Sequence, residues 1–296
     1  MRTGIIYALL AYILWGLLPL YIKALHGIAP AEILLHRMVW SLVFLAIILA
    51  ARRHWTWLRS VWSQPRLLMG FTASAALLCG NWFIYIWAVA ANRVVDASLG
   101  YFINPLLSVL LGVVFLHERL RPVQWAAIAL ASAGVAWLTF AAGQLPWIAL
   151  ALAATFGGYG LLRKTASLGA LEGLSLETLL LFPFALTALG WLFSTGQDGF
   201  THASPLVQFL ATMAGPVTAV PLLFFAAAAR RIPLSMLGLL QYTGPTLQLL
   251  LGVWLYHEPF PADKQLGYAL IWLSLALYAA EGFWVGRRRE AVAMPE

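Results

Sequence analysis

A single cysteine, Cys79, stands in the 296 residues. It excludes an internal disulfide and any cysteine-built metal cage. Charge is also scarce: 18 Lys and Arg plus 11 Asp and Glu make up 10% of the chain, against roughly 25% in ordinary soluble domains. That excludes a soluble globular fold, and the wealth of apolar residues excludes a disordered one. No Gly-rich phosphate loop with a Lys is present, which argues against direct ATP coupling and leaves no cofactor to expect. His117-Glu118 and His257-Glu258 lack the second His four residues on, so neither is a zinc motif. They fit helix ends that hold a short turn. The net charge of +7 could suggest nucleic acid, yet no basic face is interleaved with aromatics on a soluble element.

What is present is apolar sequence, 62% of the residues, with a mean hydropathy of +0.84. A membrane helix needs about 20 apolar residues to cross about 30 Å of hydrocarbon. Ten runs qualify: 4–24, 32–51, 67–90, 97–116, 123–141, 146–162, 176–194, 205–229, 234–256 and 265–284. The first shows no small-x-small cleavage site and is expected to be a retained helix.

The cations fix an orientation. With the N-terminus inside, the inner side collects Arg2, Arg52, Arg53, Arg59, Arg66, Arg119, Arg121, Arg163, Lys164, Arg230, Arg231 and Arg287, Arg288 and Arg289, fourteen in all. The outer side collects three, Lys23, Arg93 and Lys264, and Arg37 lies inside a span. This positive-inside bias puts both termini in the cytoplasm. Trp55, Trp57, Trp62, Trp125, Trp147 and Trp284 fall near span ends, where indole suits the interface.

The chain repeats itself. Residues 105–118 (PLLSVLLGVVFLHE) and 245–258 (PTLQLLLGVWLYHE) agree at eight of fourteen positions, at an offset of 140. Upstream, Ala90, Ala91, Arg93, Leu99 and Gly100 match Ala228, Ala229, Arg231, Leu237 and Gly238 at an offset of 138. The chain divides into a five-helix repeat over 1–142, a second over 143–288 and a tail over 289–296. Five is odd, so the second copy enters the membrane from the opposite side. Inverted repeats mark secondary transporters. The expected fold is therefore an all-α integral membrane protein of ten transmembrane helices in two inverted five-helix repeats.

Gly112-x5-Glu118-x3-Pro122, running into the small-rich stretch Ala126–Gly134, resembles the repeat signature of EamA-type proteins of the drug/metabolite transporter superfamily. Residues 11–21 (AYILWGLLPLY), Glu32 to Arg37, Trp40-Ser41 and 156–164 (FGGYGLLRK) resemble the RarD group more particularly. The resemblance covers roughly residues 4–285. It implies a ten-helix permease of the bacterial inner membrane, and proteins of this group are commonly labelled chloramphenicol-related.

Candidate transport residues follow from helix faces. Pro105 and Pro245 sit near mid-helix and free the carbonyls of Tyr101 and Gln241. Unpaired backbone at that depth is tolerated against protein or a wet cavity. Tyr101, Pro105, Ser108 and Gly112 form a helical stripe, repeated by Gln241, Pro245, Gln248 and Gly252. Close packing explains the glycines better, whereas Tyr101, Gln241 and Gln248 suit a cavity. Asn81, Tyr85 and Asn92 share a face, as do Tyr12, Trp15 and Pro19, and Thr155 and Tyr159. Asn104 and Tyr242 complete the candidate cavity wall. Helix gluing by Asn81 and plain aromatic packing stay open as alternatives.

Glu32, His36 and Arg37 cluster near the outer mouth. Arg37 either snorkels to the interface or serves transport. His36 has the titration range for proton coupling, and Glu32 can pair with it. With Pro105 and Pro245 these are the coupling and gating candidates. Glu177 occupies the matching start of the seventh helix. Ala127, Ala131 and Gly134 suit internal packing or a dimer face, so the oligomeric state stays open.

The sequence thus points to a permease, not an enzyme, that exports small amphiphilic metabolites or drugs by alternating access. Its partners are the bilayer, a small-molecule substrate and, through His36 and Glu32, protons. A membrane-embedded flippase or enzyme, and a non-transporting scaffold, are the alternatives.

Overall fold

In the computed structural model the chain is a helical bundle, described over residues 1–90, 94–141, 147–255, 257 and 262–292 and without a strand among them. Asn92, Arg93, Glu258 and the 142–143 boundary lie outside the described residues. The helices are α1 (Arg2–Gly16), α2 (Leu18–Ala24), α3 (Pro30–Ala51), α4 (Thr56–Trp62), α5 (Pro65–Ala90), α6 (Val94–Leu116) and α7 (Pro122–Ala141). They continue as α8 (Trp147–Thr165), α9 (Ala170–Thr195), α10 (Pro205–Thr212), α11 (Ala214–Ala229), α12 (Leu234–Gln241), α13 (Thr243–Leu250) and α14 (Ala262–Val292). A π turn at Leu251–Leu255 extends α13.

Six stretches among the described residues are long and apolar enough to cross a membrane: Arg2–Ala24, Pro30–Ala51, Pro65–Tyr85, Pro122–Phe140, Ala170–Thr195 and Pro205–Ala229. Ile47, Met69, Phe83, Phe140 and Phe184 stand exposed on such stretches. Bare apolar side chains of this size suit hydrocarbon rather than water.

Local chemistry sets the breaks. Leu17 separates α1 from α2 just before Leu18-Pro19, since proline cannot donate to Trp15. Pro245 lies beyond a break at Tyr242, whereas α6 runs through Pro105 uninterrupted. Gly244 precedes Pro245 and weakens the helix there; Asn104 precedes Pro105. Gly196, at φ 66°, ends α9 with Gln197 N–H on the Leu192 carbonyl at 3.0 Å. His117 and His257, equivalent in the sequence repeat, both adopt φ 52°. Glu118, the residue after His117, donates its N–H to the Gly112 carbonyl at 3.0 Å, so this pair does close a helix end.

The long-range pairings are reciprocal. Exchange α1 with α8, α3 with α9, α5 with α11, α6 with α12–α13, and α7 with α14. The packing of α6 on α8 then maps onto that of α12–α13 on α1, and α5 on α8 maps onto α11 on α1. The pairs α3–α9, α6–α12 and α7–α14 map onto themselves. Glycine allows the close crossings. A Cβ on Gly238 would lie 2.7 Å from the Pro105 carbonyl oxygen, and one on Gly134 would lie 2.7 Å from that of Gly267. Ala127, Ala131 and Gly134 therefore serve the internal α7–α14 contact.

One end of the bundle gathers the N-terminus with the 117–121, 165–170 and 230–233 connections. There Lys164 Nζ donates to the Ala229 and Ile232 carbonyls at 3.1 and 2.6 Å, satisfying the C-terminal end of α11. Glu118 accepts from the Leu234 and Ser235 N–H groups at 2.6 and 2.9 Å and so caps α12. Arg163, beside Lys164 in the sequence, is fully buried.

Candidate functional site

Between the halves lies a cavity of about 160 Å³, with room for on the order of ten water-sized groups. Eight expected residues line it: Tyr12, Trp15, Asn81, Tyr85, Tyr101, Asn104, Gln241 and Gln248, together with Pro245 and Arg37. Ile22 and Tyr101, at its rim, are 39% and 37% exposed, so the cavity reaches the surface there.

Its polar groups are held by the helix breaks. Pro19 deprives the Trp15 carbonyl of its helical donor, and Gln248 Nε2 supplies one from across the bundle at 3.1 Å. Asn81 Nδ2 donates to the Leu152 carbonyl at 2.9 Å and to Thr155 Oγ1 at 3.0 Å, joining α5 to α8. Asn81 is thus both cavity wall and helix tie. Asn104 keeps a buried Oδ1 without a hydrogen-bond partner. The rings of Tyr85 and Tyr101 meet edge-on at 6.0 Å.

Aromatic rings close the cavity toward the end that carries the N-terminus. Trp15 lies 5.9 Å from Tyr12, 5.8 Å from Phe156 and 5.7 Å from Phe225, centre to centre. Phe225 also stacks on Tyr159 at 5.9 Å and meets Phe156 at 5.2 Å. Tyr12 donates its hydroxyl to the Leu237 carbonyl at 3.0 Å, which pins this floor to α12.

Arg37 points into the bundle rather than snorkelling. Its Nε donates to Thr218 Oγ1 at 2.9 Å, and its guanidinium lies 5.2 Å from the centre of the Trp82 ring. A charge at this depth costs about 2.5–3.5 kcal/mol even by the milder scales, and stacking on Trp returns about 0.5–2 kcal/mol.

Five expected residues lie elsewhere. Tyr159 is fully buried below the floor, its hydroxyl 3.4 Å from Glu177 Oε2. Tyr242 is equally buried and donates to the Phe102 carbonyl at 3.1 Å. Pro105 packs against Gly238 and not on the cavity. Glu32 and His36 sit 3.7 Å apart at the far end, away from it. Glu32 accepts from the Gly199 and Phe200 N–H groups at 2.8 and 3.1 Å, and His36 rests on Phe200 at 4.8 Å. Together they anchor the 196–204 connection onto α3. Glu32→Gln is expected to lower stability by about 1.5–3 kcal/mol, the worth of hydrogen bonds to a charged group. Thermal unfolding in detergent reads this, with uptake per folded molecule retained.

Among the lining residues that sequence reasoning misses are Trp82, Phe156 and Leu222. An apolar ring on an apolar helix carries no signal of which neighbour it faces. Trp82 was findable only as the ring within reach of an intramembrane arginine.

Residues 2–140 match the EamA-like transporter family. Protein RarD of Streptomyces exfoliatus is 45% identical over 291 residues, 98% of this chain and 92% of its own length. Protein RarD of Escherichia coli K12 is 42% identical over 290 residues, 97% of each. The chain belongs to the EamA-like transporter family, in its RarD group. A protein of known crystal structure superposes with a TM-score of 0.70 over 93% of this chain and 96% of that one, at 21% identity, which speaks to the fold alone. The RarD-group chain is thus a transporter-like membrane protein.

Proposed function

We propose that this protein is a secondary permease that exports small amphiphilic metabolites or drugs across the bacterial inner membrane by alternating access. It does so as ten transmembrane helices in two inverted five-helix repeats with both termini cytoplasmic. The observation that carries the reading is the central cavity, walled by both halves, floored by aromatic rings on one side and reaching the surface on the other. The reciprocal helix pairings support the inverted repeat, because exchanging the halves would close the open side and open the closed one. Glu32 and His36 are occupied in anchoring a loop, so the reading assigns them no proton-carrying part.

Reconstitution tests it. Proteoliposomes and empty liposomes meet a pooled panel of aromatic metabolites, amino acids and amphiphilic drugs, and mass spectrometry reads their contents. Selective, saturable uptake by the folded protein is expected. Contents identical to those of empty liposomes would overturn the permease.

A further inference from the structure

We propose that the transported solute is a small aromatic monoanion, seated with its anionic group on Arg37 and its ring against Trp82. The inference rests on the permease reading and names its substrate class. Arg37 is the one charged side chain among the described residues that line the cavity. Its two close partners, Thr218 and Trp82, carry no charge. None of the ion pairs among the described residues includes it; those join His36 to Glu32, His54 to Glu172, Arg121 to Glu281 and Arg163 to Glu177. Of its described hydrogen bonds, the one to Thr218 uses Nε. A guanidinium offers five N–H donors in a fork that fits a carboxylate.

Charge then selects the solute. A neutral molecule would leave a cation deep in the bundle without a counter-charge, whereas an anion neutralises it. An ammonium group finds no carboxylate among the described lining residues. One cation suits one negative charge, so dianions are disfavoured. Trp15, Trp82, Tyr85 and Tyr101 give the remaining wall its aromatic character. The volume of about 160 Å³ sets the size near ten to fifteen non-hydrogen atoms, by the rough allowance for water-sized groups. The competing role is a strut: Arg37 would merely tie α3 to α11 and α5. A strut makes binding indifferent to ligand charge, and that is the measurable difference.

The test uses full-length protein in lipid nanodiscs, titrated by calorimetry with 3-phenylpropionate, 3-phenylpropanamide and 3-phenylpropylamine. These share one body and differ in charge. The carboxylate is expected to bind at least about tenfold tighter than the amide, as a charge-assisted fork should, and the amine not at all. Arg37→Gln is expected to erase that preference and Arg37→Lys to keep part of it. Amide or amine binding as tight as the carboxylate would overturn the proposal, as would a carboxylate silent up to millimolar concentration. Both outcomes are read on the unaltered protein, so they hold even if Arg37→Gln fails to fold. Proteoliposome uptake of the same three probes separates the two levels. Arg37-dependent binding without uptake would sink the permease and keep the anion site. Uptake blind to charge would sink the anion site and keep the permease.

Discussion

Replacing Glu177 by alanine is expected to destabilise the protein by about 3–5 kcal/mol and to lower its unfolding temperature by on the order of 10 °C. Glu177 and Arg163 are both fully buried, with Oε1 and Nη1 3.7 Å apart. The carboxylate also receives the Ser74 and Tyr159 hydroxyls, so it ties α5, α8 and α9 together. Arg163 Nη2 reaches the Gly169 and Ala170 carbonyls at 3.3 and 3.2 Å, while Nε and Nη1 have no hydrogen-bond partner. Gly173 is required beside it, because a Cβ there would overlap Nη1. Without Glu177 a full charge stays buried against the ring of Phe71, 5.6 Å away, and two hydroxyls lose their acceptor. Removing both charges is a different matter. An Arg163→Met/Glu177→Leu double variant is expected to recover most of the loss, since apolar replacement of a buried pair is often neutral. Thermal unfolding of the two singles and the double in one detergent measures this. Additive losses would mean the two side chains act separately.

The same pair shows what sequence reasoning reaches and where it stops. Helical stripes brought Tyr12, Trp15, Asn81, Tyr101, Gln241 and Gln248 onto the cavity, because a face polar or aromatic at membrane depth needs protein or space opposite it. A stripe does not say which of those two it meets. Tyr159 meets Glu177, eighteen residues on, and Tyr242 meets a carbonyl 140 residues back. Both rings are fully buried in packing and neither lines the cavity. Proline arithmetic worked in kind but at a different address: the freed carbonyl that a distant side chain satisfies is that of Trp15, released by Pro19. A count of cations by side puts Arg163 and Lys164 together and is blind to the burial of one of them. Neighbours in a helix differ by about 100° in direction, and the pair splits accordingly, one head inside the bundle and one on the carbonyls that end α11.

Trp15→Ala is expected to open the floor of the cavity. The tryptophan contributes three of its ring contacts, to Tyr12, Phe156 and Phe225. At about 0.5–1.5 kcal/mol each beyond area, their loss weakens the closed floor by about 1.5–4.5 kcal/mol, roughly tenfold to a thousandfold in population. The bond from Gln248 to the Trp15 carbonyl is a backbone contact and survives the substitution, so the variant removes rings without unfastening α1 from α13. A permease that cannot keep one side shut lets solute equilibrate but not accumulate. Cys79 is the single native thiol, so a Cys79→Ser chain accepts reporters. Ala8 lies fully buried one turn beyond Tyr12. A cysteine there should react with an impermeant maleimide, supplied from the cavity side, at least about tenfold faster once Trp15 is gone. General loosening would speed every buried thiol alike. A second reporter at Ala131, fully buried in the α7–α14 contact, separates the cases. If both reporters accelerate together, the fold has loosened. If Ala8 alone does, Trp15 holds the floor. If neither responds, closure rests on other residues.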